Sequence, residues 1–274
     1  MTTLWMETNG GKIAYDDTGS GPLVVCAPGM GDVRGQFRFL APQLVNAGYR
    51  VVTLDLRGHG ESSVPWADYS IRAQGQDLVD MIRSLGAGPA ILVGNSMSAA
   101  TAVWAAAEAP ELVRGLVLLG PAVHGVPGTM GRLLYQAMFA RPWGPSVWMY
   151  YFNTLYPTRQ PADFEAYKTA LRANLQQPDR LEALKAMMLE DKADAEARFG
   201  QVQAPVLAIM GSKDPDFKDP AAEAQWVADH LHAKYEVIEG AGHYPHAEMP
   251  EITGPIVLSF LRELETEPEA VYAA

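Results

Sequence analysis

Residues 92–107 read LVGNSMSAATAVWAAA. An apolar run ends in Gly94-Asn95-Ser96-Met97-Ser98 and gives way at once to an alanine-rich segment of high helix propensity. The reading is a buried strand that turns sharply into a helix, with Ser96 at the tip of the turn. A residue there is held in a strained backbone conformation that lifts its side chain above the sheet, and crowding demands small residues two places before and two after. Gly94 and Ser98 fill those places. The helix that follows offers free N–H groups and the positive end of its dipole, so the Met97 N–H is the expected donor to an oxyanion forming beside Ser96.

On both sides of this unit, short β-branched runs alternate with helical patterns, the mark of βαβ units around a mostly parallel sheet. Strands are expected at residues 12–16, 22–27, 50–54, 90–93, 116–119, 206–210 and 235–239. Several are apolar throughout, as central strands covered on both faces are. Helices are expected at residues 36–47, 71–85, 97–109, 223–231 and 255–265, with Gly48, Gly86 and Pro110 as stops. The last ten residues, ETEPEAVYAA, read as a frayed acidic tail.

The alternation lapses between about residues 123 and 202, where Met and aromatic side chains crowd the first half. The expected organisation is an α/β core made of residues 1–122 and 203–274, with residues 123–202 inserted as a helical cap over an apolar pocket. Met30, Met130, Trp143 and Trp148 are the candidate wall residues.

The chain has 274 residues, 48% of them hydrophobic and 19% charged, enough for one large domain with an inserted subdomain. Its formal net charge of −11 leaves no basic surface to neutralise phosphates, which argues against nucleic acid and anionic membranes as partners. A small apolar molecule is the expected partner. The start, MTTLWMETNGGKIAYDD, has neither a cationic flank nor an apolar core, and no run of about 18 apolar residues follows, so a cytoplasmic protein is expected. A single cysteine, Cys26, makes no internal disulfide and no thiolate metal cage, and its place in LVVCA reads as a buried strand. With no ligand-spaced His and carboxylate cluster and no dinucleotide fingerprint, neither a metal nor an organic cofactor is expected.

These motifs resemble the α/β-hydrolase superfamily over nearly the whole chain. Gly94-Asn95-Ser96-Met97-Ser98 is similar to its G-x-S-x-G elbow, with Ser98 where the family usually has glycine. Pro28-Gly29-Met30-Gly31 resembles the oxyanion loop after the preceding central strand, Pro28 standing where relatives carry histidine. The resemblance implies a second oxyanion donor at the Met30 N–H. LDLRGHGESS, residues 54–63, resembles a strand-to-helix link of the family, which implies that Arg57 and His59 shape that loop.

A serine hydroxyl needs a histidine to take its proton and a carboxylate to orient the histidine. His59 precedes the serine, His124 follows its strand too closely, and His230 and His232 sit in or beside a charged helix. His243 and His246 remain. GAGHYPHAEMPE, residues 240–251, resembles the family's terminal Gly-x-Gly-His loop, which implies His243 as the base and His246 as a neighbour packing in the loop. GSKDPDF after the strand VLAIM resembles the Gly-x-x-Asp signature, which implies Asp214 as the acid, with Asp216 its rival. The preceding strand runs into LLGPAVHG, which carries no carboxylate.

The resemblance thus implies the α/β-hydrolase fold and two-step acyl transfer on an ester or lactone, with Ser96, Asp214 and His243 as the catalytic set. GNSM also looks like the elbow of carbon–carbon bond hydrolases that cleave vinylogous diketones, although those carry a longer, more polar loop than PGMGD. A ligand sensor on the same fold is the other alternative. Dehalogenases and epoxide hydrolases need a carboxylate where this chain has Ser96.

Overall fold

The computed structural model describes residues 2–125 and 129–266, and for residues 129–132 and 135 the backbone alone. Among the described residues eight strands form one sheet: β1 (Leu4–Thr8), β2 (Gly11–Thr18), β3 (Leu23–Ala27), β4 (Arg50–Leu54), β5 (Ala90–Asn95), β6 (Val113–Leu119), β7 (Val206–Gly211) and β8 (Lys234–Ile238). Their order across the sheet is β1-β2-β4-β3-β5-β6-β7-β8. β2 pairs antiparallel with β1 and β4, and every other pairing is parallel.

The helices are α1 (Leu40–Asn46), α2 (Ile71–Leu85), α3 (Met97–Glu108), α4 (Thr129–Met138), α5 (Gly144–Thr154), α6 (Phe164–Gln176), α7 (Arg180–Met188), α8 (Ala193–Glu196), α9 (Pro220–Leu231), α10 (Pro245–Glu248) and α11 (Pro250–Thr266). Successive strand residues point to opposite faces, so a wholly apolar strand feeds two cores at once. Leu23, Val25 and Leu92 pack with α2, α3 and α9 on one face, while Val24, Cys26, Ile91 and Val93 pack with α1 and α11 on the other. Cys26 is therefore fully buried in β3, and burial pushes its thiol well above the ordinary cysteine range.

Three departures from the sequence reading have local causes. β1 was not anticipated: Leu4 and Trp5 face solvent and only Met6 is buried, so the strand lacks the alternation that marks a half-buried element. The helix expected at residues 36–47 is broken into a 3₁₀ turn, Arg34–Phe37, and α1. Beginning at Leu40 puts Pro42 in the first turn, where its missing N–H costs nothing, whereas a start at residue 36 would bury it mid-helix. α11 begins five residues before the proline expected to open it: Pro255 lies inside the helix, whose first turn is tied down by the Thr253 hydroxyl donating to the Pro245 carbonyl.

Between β6 and β7 the chain forms α4 to α8. Trp148 and Phe152 of α5, Phe164 and Leu171 of α6, and Leu181 and Leu184 of α7 make a third core, closed by Tyr244 and Ala247 from the segment after β8. Phe152 stacks on Phe164 with ring centroids 5.7 Å apart and lies equally near Tyr244. The shared aromatic core fixes these helices over the C-terminal ends of the strands, where the loops of a parallel sheet gather. No helix among the described residues is long and apolar enough to cross a membrane.

Candidate active site

Ser96 sits between β5 and α3 at φ +56° and ψ −123°, a strained setting for a residue with a side chain. The turn is so tight that a Cβ at Gly94 would stand 2.4 Å from the Ser98 carbonyl oxygen, so no larger residue fits there. Ser98 is buried, and its hydroxyl donates to the Pro28 carbonyl at 2.5 Å. The serine that replaces the usual glycine thus ties the start of α3 to the loop after β3.

That loop turns over residues 29–32, closed by the Asp32 N–H donating to the Gly29 carbonyl at 3.1 Å, with Gly31 at φ +74°. A Cβ on Gly29 would stand 2.7 Å from Asn95 Oδ1 and 3.3 Å from the Ser96 Cβ, so the loop runs directly against the elbow. Met30 and Met97 line the same cavity as Ser96. The Gly31 N–H donates to His59 Nε2 at 3.1 Å, while His59 Nδ1 lies 3.2 Å from the Arg57 carbonyl. These partners put the His59 proton on Nδ1, and burial holds the ring neutral by pulling its pKa down to about 4. Arg57 is held by Asp77 through two bonds of 2.8 and 2.7 Å. Both residues therefore shape the loop, as expected. Trp148 holds its other side, donating from Nε1 to the Gly31 carbonyl at 3.2 Å.

His243 follows β8 and Asp214 follows β7, which brings their side chains together: His243 Nδ1 is 2.7 Å from Asp214 Oδ2, and both residues are buried. Asp216, the rival, lies on the opposite edge of the ring, its Oδ2 3.6 Å from His243 Nε2, and accepts a short hydrogen bond from the Tyr151 hydroxyl. Burial disfavours charge on His243, but the carboxylates of Asp214 and Asp216 and the Asp214 hydrogen bond outweigh it and hold the imidazole up at about 9. Asp214, Asp216 and His243 also form the one group among the described residues whose metal-type ligand atoms lie within 4.8 Å of one another. In it, Nδ1 is already committed to Asp214.

No local pattern announces the buried knot beneath these loops. Gln36 Oε1 accepts from the Gly29 N–H at 2.8 Å, and its Nε2 lies 2.6 Å from Asn95 Oδ1 and 3.1 Å from His246 Nε2. Asn95 donates to the carbonyls of Leu119 at 2.8 Å and His243 at 3.2 Å. His246 stacks on Phe37 and is held down at about 3 by burial, so it is a neutral acceptor here. One buried glutamine and one buried asparagine thus fix the residue before Met30, the residue before Ser96, and His243 itself.

The cavity above Ser96 has a volume of about 360 Å³. Met30, Met97, Phe139, Trp148 and Met187 are among its walls, with Tyr151, Lys192 and Asp216 as polar members. Trp148 is where the sequence reading put it. Trp143 is not in the wall: it caps α5 on the outside, 53% exposed, with Nε1 donating to the Ala137 carbonyl at 3.1 Å. The side chain of Met130 lies outside the described residues. Phe139, Met187 and Lys192 were missed, because a Met or aromatic count does not say which face of a helix turns inward. A second cavity, of about 380 Å³, is walled by Asp16, Arg34, Asp55 and Glu61 and does not include Ser96. Its charges are matched within it, Arg34 pairing with all three acids.

An eight-stranded, mostly parallel sheet with a strained serine elbow after a central strand defines the α/β-hydrolase class of protein. The chain matches the α/β-hydrolase fold family over residues 22–250 and belongs to it. It is 31% identical over 264 residues to a 2-hydroxy-6-oxononadienedioate/2-hydroxy-6-oxononatrienedioate hydrolase of Burkholderia vietnamiensis, covering 92% of this chain and 91% of that one. It is 30% identical over 259 residues to a 2-(acetamidomethylene)succinate hydrolase of Mesorhizobium japonicum, covering 89% and 90%. Its structure resembles that of an esterase from Exiguobacterium antarcticum with a TM-score of 0.83 at 22% identity, over 96% of this chain and 100% of that one. The protein is a hydrolase of this family.

Proposed function

We propose that this hydrolase cleaves a carboxylic ester or lactone with an apolar or aromatic part, acting in the cytoplasm through Ser96, His243 and Asp214. The observation that carries the reading is the buried His243–Asp214 pair, with Nδ1 bound to the carboxylate and Nε2 on the far side of the ring, where its described neighbour is Asp216 Oδ2 at 3.6 Å. Ser96 Oγ gives its proton to His243 Nε2 and attacks the carbonyl carbon, and the oxyanion is held by the N–H groups of Met30 and Met97. His243 then passes the proton to the leaving oxygen, and water repeats the sequence on the acyl-enzyme. Residues 123–202 act as the cap, with Trp148 joining the pocket wall to the oxyanion loop. No metal or organic cofactor takes part in these steps.

Cleavage of a carbon–carbon bond next to a ketone is the second reading. It is favoured by the relative at 31% identity, a hydrolase whose named substrate is a 2-hydroxy-6-oxononadienedioate or -trienedioate. The test is a panel of p-nitrophenyl esters of rising acyl length, several lactones and a 2-hydroxy-6-oxodienoate, each run beside the Ser96→Ala variant. Ester or lactone turnover that vanishes with Ser96 supports the first reading. Turnover confined to the dienoate replaces it with the second, and silence across the panel favours a ligand sensor.

A pH dependence follows from the raised His243. Only the neutral ring accepts the serine proton, so kcat/KM should climb about tenfold per pH unit through neutral pH and level off above the imidazole pKa, about 9. Asp216 is one of the charges that raise it, so Asp216→Asn should move the inflection to lower pH. A flat profile through neutral pH, or an inflection unmoved by the substitution, contradicts this account.

A further inference from the structure

We infer that the substrate carries a carboxylate which pairs with Lys192 inside the cavity that holds Ser96; the inference rests on the hydrolase reading above and adds to it a charged recognition point. Lys192 stands at the turn before α8, and its side chain lines the same cavity as Ser96, of about 360 Å³. Among the described residues that line that cavity it is the one with a cationic side chain. So small a space leaves only a few bonds between a group touching Lys192 and a carbonyl at Ser96.

The Lys192 ammonium differs from most of the other lysines in what it meets. Lys12, Lys168, Lys185 and Lys234 each meet a carboxylate within 2.8 Å. The Lys192 carbonyl accepts from the Ala195 and Glu196 N–H groups at 3.0 Å, but among the described residues its ammonium makes no hydrogen bond and no ion pair within 4.0 Å. Burial pulls its pKa below the ordinary lysine range, although Asp191 and Asp216 both act in the opposite direction. Their charges therefore do not make up for the water it has lost. Asp216 is held by the Tyr151 hydroxyl and faces His243 Nε2 at 3.6 Å, so its carboxylate is engaged at the imidazole. A desolvated ammonium without a partner costs free energy that an anion arriving with the substrate offsets. The rest of the wall, from Met and aromatic side chains, suits the apolar chain that joins that anion to the scissile carbonyl.

The test is binding rather than turnover, so that it stands apart from the ester panel. Stable anilides of matched length serve as probes: the mono-anilide of glutaric acid, which ends in a carboxylate, and the anilide of valeric acid, which does not. Calorimetric titration into Ser96→Ala should give the acid a roughly ten- to hundredfold tighter Kd than the neutral anilide, the usual worth of a hydrogen bond to a charged group. In Ser96→Ala/Lys192→Met, where methionine keeps the apolar stem and loses the charge, that advantage should vanish, and in Ser96→Ala/Lys192→Glu it should invert. Equal affinities for the two anilides overturn the proposal. So does an advantage that survives Lys192→Met, or a failure of the acid to bind at all. The hydrolase reading fails separately, when the esters, lactones and dienoate all go uncleaved by the Ser96 protein.

Discussion

Ser96→Ala should lower kcat by roughly 10⁶-fold on any ester or lactone the protein cleaves, the scale seen when a serine nucleophile acting with its base is removed. Alanine keeps the Cβ, so it sits at φ +56° under the same backbone strain as the serine. The backbone bonds that hold the turn stay as well: the Ser96 N–H to the Leu119 carbonyl at 2.9 Å, and the Ser96 carbonyl to the Ala99 and Ala122 N–H groups. Thermal unfolding should therefore be unchanged while turnover collapses to what the proposed Met30 and Met97 donors and the cavity provide by binding alone. Turnover within tenfold of the parent protein would remove Ser96 from the mechanism and leave the elbow without a chemical role.

Asp214→Asn should cost roughly 10⁴-fold in kcat, and Asp216→Asn far less. The reason lies in which atoms can donate. The Asp214 carboxylate accepts from His243 Nδ1 at 2.7 Å, which keeps the proton on that side and, in the proposed mechanism, leaves Nε2 to accept from Ser96. With its amide nitrogen turned to the ring, an asparagine would donate where the carboxylate accepted, and the proton would move to Nε2. The base would then present an N–H to the serine it must deprotonate. Asp216 meets the ring 3.6 Å from Nε2 and shifts its charge without choosing its tautomer. Steady-state kinetics of both variants on one substrate decide the matter, and the opposite order of damage would transfer the role to Asp216.

Much of the frame could be read from local pattern, because each signal is carried by neighbouring residues. The apolar runs became β3, β5 and β7, and the Gly94 to Ser98 crowding became the elbow. β1 escaped notice although Asn9-Gly10, with Gly10 at φ +120°, is a strong hairpin signal between it and β2. What stayed hidden depends on residues far apart in the chain. Gln36 belongs to a short turn, and nothing near it announces that it reaches Asn95 and His246. Trp143 and Trp148 look alike in sequence, yet five residues, about 1.4 helical turns, carry the chain from a solvent-facing ring to one pressed on Gly31. Lys192 lies in a polar stretch, LEDKADAE, that reads as surface until α8 is seen against α2 and α3.

Gln36 and Asn95 also decide how the site comes apart. Because a single buried pair joins the loops after β3, β5 and β8, none of the three opens without breaking bonds in the others, and their amides should exchange with solvent as one cooperative unit. Anyone recutting this pocket has free material in Met138, Phe139, Met187 and Met188, which take no part in those bonds. The three loops are a single inheritance, to be transplanted whole.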